Sequence, residues 1–157
     1  MLTGLLQGHV DGPVNLVNAT SLAEDRGIVW RETSSPRARD YTNRLSVRAN
    51  GVSLSGTTIG TTSRPRLVEA FDQEIEIEMA PHIGLFRYRD VPGQIGRVGS
   101  ILGEAKVNIG TAAVSRSSVE GDAVMGVTVD SPVPQAVADR IAALDGFAAA
   151  WFVDLGD

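Results

Sequence analysis

The stretch that decides the fold is residues 83–104, which read IGLFRYRDVPGQIGRVGSILGE. Residues 83–88 are mostly apolar and indicate a strand. Asp90-Val91-Pro92-Gly93 follows and predicts a turn, because proline and glycine favour one at such positions. Beyond the turn, apolar residues recur every three or four positions, as the buried face of a helix requires. These residues are Ile95, Val98, Leu102 and Ala105.

The same rhythm continues to the end of the chain. Residues 107–114 and 123–129 are predicted strands, joined by a polar connection over residues 115–122. Residues 134–144 form a predicted second helix, and residues 148–153 a last strand. The order is βαββαβ, a ferredoxin-like arrangement in which two helices cover one face of an antiparallel sheet.

The first part of the chain contains shorter predicted strands and one predicted helix. Residues 2–10 are predicted as a strand, residues 14–26 as a helix that Pro13 opens and Gly27 ends, and residues 28–30 as another strand. Residues 31–41 are polar and indicate a loop. The fold class is therefore α+β.

Between this part and Pro81 the pattern is that of strands. Asn50-Gly51 separates two alternating runs and predicts a hairpin. Residues 57–65 are expected to form a loop, residues 67–71 a strand or a helical turn, and residues 74–78 a half-exposed strand. We place a domain boundary at Pro81, which gives a small α+β domain over residues 1–80 and a βαββαβ domain over residues 81–157.

Composition excludes several classes of protein. The 157 residues include no cysteine, so disulfide scaffolds, thiolate metal sites and cysteine nucleophiles are ruled out. No apolar run approaches the ~20 residues of a membrane span, and no secretory signal is recognisable. The net charge of -5 argues against a nucleic-acid partner. We expect a cytoplasmic protein with no membrane or nucleic-acid partner.

Catalytic patterns are missing from the sequence. The two histidines, His9 and His82, have no metal-ligand spacing around them, so no metal site is predicted. The glycines from Gly93 to Gly99 fail as a dinucleotide fingerprint, because a proline precedes them and no acidic residue follows at the expected distance. We predict no catalytic residue and no cofactor in this chain.

Four residues suggest a site for a small amino acid. Tyr88 and Asp90 project to the same side of a strand, and Gly93 opens the helix, where backbone amides favour an anion. Asn108 is predicted mid-strand between two buried residues and points away from them. Asp90 and Asn108 suit an ammonium group, and the helix amides suit a carboxylate. The alternative is that Asp90 is a turn or capping residue and Asn108 a solvated strand residue. Arg97 and Arg116 are expected on the solvated surface.

Both parts of the chain resemble known protein domains. Residues 88–96, YRDVPGQIG, and 103–109, GEAKVNI, resemble an ACT domain, the small-molecule sensor of amino-acid metabolism. Residues 11–19, 22–28 and 52–57 resemble the intervening, or allosteric substrate-binding, domain of long-form D-3-phosphoglycerate dehydrogenase. The similarity covers almost the whole chain in the family's order.

The resemblance implies a regulatory function. The family oxidises 3-phosphoglycerate with NAD at the first step of L-serine biosynthesis, and its nucleotide and substrate domains precede the segment seen here. The chain is then a C-terminal regulatory segment, Met1 is not the natural start, and NAD belongs to the absent catalytic part. L-Serine is the family's feedback inhibitor and binds where two ACT domains meet. Tyr88, Asp90, Gly93 and Asn108 therefore carry over as effector residues, and a homo-oligomer through both domains is implied.

A second, anion-binding site of the family is expected to be lost. Arg66 lies near one of its basic positions, but Glu74, Glu76 and Glu78 occupy the strand where further basic residues would be needed. Three carboxylates there would repel a phosphate.

Two other functions stay open. One is the regulatory half of an iron–sulfur L-serine dehydratase, although the serine-rich run and the cluster cysteines of that family are missing. The other is a free-standing ACT module for another amino acid. An upstream Rossmann domain in the intact gene would distinguish them from the dehydrogenase.

Overall fold

The structure, a computed structural model, describes residues 2–34, 41–117 and 121–156. The chain divides into two compact units, residues 1–37 and 38–157. None of the helices in the described ranges has both the length and the apolar character that crossing a bilayer takes. The division into domains 1–80 and 81–157 stays a prediction.

The first unit contains two short helices, α1 (Leu2–Leu6) and α2 (Ala19–Asp25). The strand predicted for residues 2–10 is wrong, because Leu2 and Leu6 lie one helical turn apart and Leu6 packs against α2. The strand predicted for residues 28–30 is also absent. Val29 is 98% exposed, and the described part of this unit offers no other strand to pair with.

The helix predicted over residues 14–26 begins later than predicted, at Ala19. Asn15 Oδ1 accepts hydrogen bonds from the backbone amides of Val17 and Asn18, and these turns delay the helix until Ala19. The predicted stop is confirmed. Gly27 has a φ of 69°, and Ile28 donates its amide to the carbonyl of Ala23, as in a Schellman motif.

The second unit begins with an antiparallel meander sheet of four strands in the order β1-β2-β3-β4. They are β1 (Leu45–Ala49), β2 (Val52–Ile59), β3 (Arg64–Ala70) and β4 (Gln73–Glu78). The hairpin at Asn50-Gly51 is confirmed, and both residues have positive φ as a type I′ turn requires. The loop predicted for residues 57–65 is too long. Thr57 and Thr58 continue β2 and pair with β3, as β-branched residues favour.

The meander sheet has one apolar and one polar face. Ile75 and Ile77 of β4 are buried while the glutamates that alternate with them are exposed, which confirms the predicted half-exposed strand. On β2 the buried side chains are Ser53, Ser55 and Thr57. They form hydrogen bonds, for example from Ser55 to Glu69, which offset the cost of burying their hydroxyl groups.

The rest of the second unit has the predicted βαββαβ order, and the fold class α+β is confirmed. The elements are β5 (His82–Arg89), α3 (Gln94–Glu104), β6 (Ile109–Arg116), β7 (Asp122–Val129), α4 (Gln135–Ala142) and β8 (Phe147–Asp154). The strands lie in the order β6-β7-β5-β8, and every paired neighbour is antiparallel. We call this the ACT sheet, after the domain that its sequence motifs resemble.

Each face of the ACT sheet is covered. Phe86 and Tyr88 of β5 pack with Val98 and Leu102 of α3 in one core. Ile83 and Leu85, which alternate with them, pack with the meander sheet in a second core. The predicted apolar face of α3 is partly wrong, because Ile95 is 55% exposed and Ile101 is buried instead.

We expect Gly84→Ala to destabilise the fold by about 1–3 kcal/mol, because overpacking a dense core displaces side chains. A Cβ at Gly84 would lie 2.7 Å from Phe152, 2.8 Å from Val127 and 2.9 Å from Phe86. Urea unfolding measures the change. Gly103→Ala in α3 is the control, since a Cβ there has no neighbour within 4 Å and alanine favours the helix. Equal stability of Gly84→Ala and wild type would contradict the packing described here.

Candidate functional site

The candidate site forms where β5 ends and the chain turns into α3. Tyr88 is the next-to-last residue of β5, is 2% exposed, and stacks on Phe147 with ring centroids 5.1 Å apart. Asp90 follows the strand and donates its backbone amide to the carbonyl of Gly121 at 2.8 Å. Strand pairing therefore fixes the position of Tyr88, and this hydrogen bond fixes the backbone of Asp90.

The turn into α3 depends on Gly93, which caps the helix with a φ of 96°. Non-glycine residues rarely adopt this conformation, so glycine allows the backbone to turn sharply after Pro92. Gly93 also accepts the first hydrogen bond of the helix, from the amide of Arg97. The amides ahead of Arg97 lie in the first turn, where an α-helix has no internal acceptors for them.

A cavity of about 370 Å³ lies against this turn. Its lining combines a tyrosine, a carboxylate, the first turn of α3 and an arginine. The lining residues are Tyr88, Asp90, Val91, Pro92, Gly93, Gln94, Ile95, Gly96 and Arg116. Three of the four predicted effector residues are thus brought together in one place.

Arg116 is a site residue that the sequence analysis missed. Its side chain is 64% exposed, as expected for a surface arginine, yet it lines the cavity, and its Nη1 lies 3.4 Å from Asp90 Oδ2. The signal was available in the βαββαβ order, which makes β5 and β6 parallel. Arg116 and Tyr88 both pair with Ala123 of the strand between them, so they lie at the same end of the sheet.

Gln94 is a second residue that sequence reasoning passed over. It is 2% exposed, and its Nε2 donates to the carbonyl of Asp145 at 2.9 Å. A Cβ on Gly146 would lie 2.9 Å from that nitrogen, so the glycine leaves room for the amide. Gln94 therefore ties the first turn of α3 to the turn that precedes β8.

Asn108 lies at the opposite end of the ACT sheet. It precedes β6, whose first residue Ile109 pairs with Val129, and Val129 pairs with His82 at the start of β5. The mid-strand position predicted for Asn108 is wrong, because β6 begins one residue later and Ile109 is exposed. Within one chain, Asn108 does not reach the cavity.

Asp130 holds Asn108 in place. The backbone amide of Asn108 donates to Asp130 Oδ1 at 3.2 Å, and its Nδ2 donates to Oδ2 at 2.9 Å. These hydrogen bonds from Asn108 lower the pKa of Asp130. The side-chain carbonyl of Asn108 is not used in this pairing, so it can accept a hydrogen bond from another group.

Arg66 lies on β3 of the meander sheet, in register with Thr57 and Glu78. Its Nε is buried with no hydrogen-bond partner among the described residues. Glu74, Glu76 and Glu78 all lie on β4, the neighbouring strand. The loss of a phosphate site here stays a prediction.

Neither histidine belongs to a metal cluster in the part of the chain that the structure describes. His82 Nδ1 lies 3.5 Å from Asp154 Oδ1, at the start of β5.

Known protein families match both parts of the chain. Residues 1–71 match the D-3-phosphoglycerate dehydrogenase intervening domain, and residues 85–146 match the ACT domain. These are the two domains that the sequence motifs resemble.

Curated relatives named D-3-phosphoglycerate dehydrogenase align with nearly all of this chain. The protein of Synechocystis sp. is 32% identical over 157 residues, which are 98% of this chain and 28% of the relative. That of Bacillus subtilis is 32% identical over 159 residues, with 99% of this chain and 30% of the relative covered. That of Mycobacterium tuberculosis is 31% identical over 147 residues, with 90% and 28% covered. The chain thus spans less than a third of the length of these relatives.

We expect Asp90→Asn to bring the pKa of Tyr88 back toward the ordinary tyrosine value of about 10. Burial of Tyr88 and the negative charge of Asp90 both raise this pKa, and the substitution removes the second cause. Ultraviolet absorbance titration in a Tyr41→Phe background follows Tyr88 alone. An unchanged pKa would show that the charge of Asp90 does not affect the ionisation of Tyr88.

The raised pKa also predicts a stability loss at alkaline pH. As the pH rises, the unfolded state releases the Tyr88 proton first, because its pKa is the lower of the two. The contribution to stability is therefore complete below about pH 10 and is lost as the pH rises through the folded value. Tyr88→Phe should flatten this part of the pH profile of urea unfolding. The same alkaline loss in Tyr88→Phe and wild type would assign it to another group.

Proposed function

We propose that this chain, which matches the D-3-phosphoglycerate dehydrogenase intervening domain and an ACT domain, is the regulatory part of such an enzyme and binds L-serine as a feedback effector. The cavity at the start of α3 carries this proposal. The enzyme to which such a part belongs would be an NAD-dependent oxidoreductase of L-serine biosynthesis, with its catalytic groups and NAD on a different segment.

The chemistry of the cavity supports a small zwitterion. Asp90 is only 23% exposed and can accept hydrogen bonds from an ammonium group. The first turn of α3 offers backbone amides and the positive end of the helix dipole to a carboxylate. Tyr88 forms an apolar wall with a hydroxyl at its end. Serine buries little area, so such charge-assisted hydrogen bonds would supply most of its affinity.

A second copy of the chain accounts for the position of Asn108. Among the described strands, β6 lies at the edge of the ACT sheet and pairs with β7 alone. If two copies pair their β6 edges antiparallel about a two-fold axis, the start of one strand lies beside the end of the other. The partner's Asn108 then lies beside Arg116 and the cavity. The effector would bind between two ACT domains, and its binding would depend on this association.

The relatives reported above favour the dehydrogenase over the dehydratase, because all three carry the dehydrogenase name. A free-standing ACT module for another amino acid differs from the proposal in its ligand as well as in having no catalytic segment. Titration with different amino acids separates these two possibilities.

We expect Asp90→Ala to weaken L-serine binding by about tenfold or more, since losing one partner of a desolvated charge pair costs about 2–5 kcal/mol. Asn108→Ala should weaken it as well, through the partner subunit. Isothermal titration of L-serine into the 157-residue chain measures both effects. Arg97→Ala is the control, because Arg97 is exposed on α3 and does not line the cavity. Equal affinity in the Asp90 variant and wild type would place the ligand elsewhere, and absence of heat in wild type would refute serine as the ligand.

We expect the chain to form at least a dimer at micromolar concentration, and Val114→Lys to weaken that dimer. Val114 is 43% exposed on β6, and a charge there opposes edge-to-edge pairing. Val153→Lys is the matched control, since Val153 is 42% exposed on β8, the other edge strand. Sedimentation equilibrium distinguishes the two variants. A stronger effect of Val153→Lys would move the interface to β8.

A further inference from the structure

Among the described residues that line the cavity, Asp90 and Arg116 are the charged ones, and they carry opposite charges. Nη1 of Arg116 and Oδ2 of Asp90 lie 3.4 Å apart. The site is therefore not simply acidic, as the sequence motif around Asp90 suggests. It presents an anion and a cation to the same small volume.

We propose that Arg116 joins the first-turn amides of α3 in binding the carboxylate of the effector. One chain then supplies charged partners for both ends of an amino acid, and the partner's Asn108 adds to them. This inference rests on the proposed function and adds the residue that selects for a free α-carboxylate. Arginine suits the role because its planar guanidinium can donate two parallel hydrogen bonds to a carboxylate.

The hydrogen bond between Arg116 and Asp90 is long, so a ligand can replace Asp90 as the partner of Arg116. Charge-assisted hydrogen bonds in proteins are usually about 2.7–2.9 Å long. Two other exposed ion pairs of the ACT domain are at least this short, Arg87–Asp122 at 2.6 Å and Arg140–Glu104 at 2.7 Å. The Arg116 pair is longer at 3.4 Å, and the Arg116 side chain is more exposed, at 64%, than those of Arg87 and Arg140, at 45% and 53%. Arg116 is thus less firmly held than either.

The strand register keeps Arg116 beside the cavity even when its side chain moves. Arg116 is the last residue of β6 and pairs with Ala123, which is fully buried and pairs in turn with Tyr88. The backbone is therefore fixed while the long side chain stays in solvent. Rotation about its side-chain bonds can move the guanidinium from Asp90 to a ligand without a change in the fold.

Exchange of partners would make the site selective. An amino acid gives its ammonium to Asp90 and its carboxylate to Arg116, so both protein charges remain paired. An amine without a carboxylate must displace Arg116 from Asp90 and gives the guanidinium nothing in return. The resident ion pair would thus disfavour simple amines and favour zwitterions.

The test compares L-serine with ethanolamine, which keeps the ammonium and hydroxyl groups and lacks the carboxylate. Both are titrated calorimetrically into the wild-type chain, Arg116→Gln and Arg87→Gln. We expect Arg116→Gln to weaken L-serine binding by about tenfold, which is about 1.4 kcal/mol. Ethanolamine should bind this variant as well as wild type or better, because Asp90 is then free. Arg87→Gln breaks a comparable surface ion pair outside the cavity and should leave both affinities unchanged.

Each other outcome overturns the inference in a distinguishable way. If Arg116→Gln binds L-serine as tightly as wild type, the carboxylate is bound elsewhere, while the proposed function stands. If the variant loses affinity for L-serine and ethanolamine equally, Arg116 supports the fold or the dimer rather than the carboxylate. If wild type does not bind L-serine, the proposed function fails and this inference fails with it.

Discussion

The pairing of β5 on both sides is the constraint on which the rest of the second unit depends. This strand bonds to β7 along one edge and to β8 along the other, over nearly its whole length. Its side chains alternate between two cores, Phe86 and Tyr88 toward the helices, Ile83 and Leu85 toward the meander sheet. A strand held in this way cannot slip, because a shift by one residue would exchange the two sets of side chains. Its end is therefore a rigid support for Asp90 and for the turn into α3.

The two sheets of the second unit meet closely. A Cβ on Gly126 of β7 would lie 3.1 Å from Ile77 Cδ1 and 3.4 Å from Ile75 Cδ1, so the meander sheet packs almost against the backbone of the ACT sheet. At the edge of this contact, Phe71 stacks on Trp151 with centroids 5.1 Å apart. Packed interiors transmit displacement rather than absorb it. A displacement of strands in the ACT sheet would therefore displace the meander sheet as well.

Strong local patterns made most of the fold predictable from the sequence. The Asn50-Gly51 hairpin, the alternation of residues 74–78 and the strand–turn–helix of residues 83–104 are each fixed by short-range chemistry, and each is confirmed. The first unit was not predictable in the same way. A short apolar run such as residues 2–6 fits a strand or a helix, and only its contact with α2 decides between them. Ile95 shows the same limit, since helical spacing cannot tell a core face from the wall of a cavity.

The candidate site, too, could be predicted from the sequence only in part. Tyr88, Asp90 and Gly93 lie in one continuous motif, so their proximity follows from sequence alone. Arg116 joins them only through the strand order, and Asn108 is separated from them by the length of the sheet.

Both faces of the ACT sheet are covered within the described part of the second unit, so its two edges are what remain for another chain. On the β8 edge, Trp151 is already engaged with Phe71, whereas β6 carries Arg116 at one end and Asn108 just before the other. Antiparallel pairing of two β6 strands is therefore the arrangement that would place an asparagine beside each cavity, and it would make dimer formation and effector binding mutually dependent.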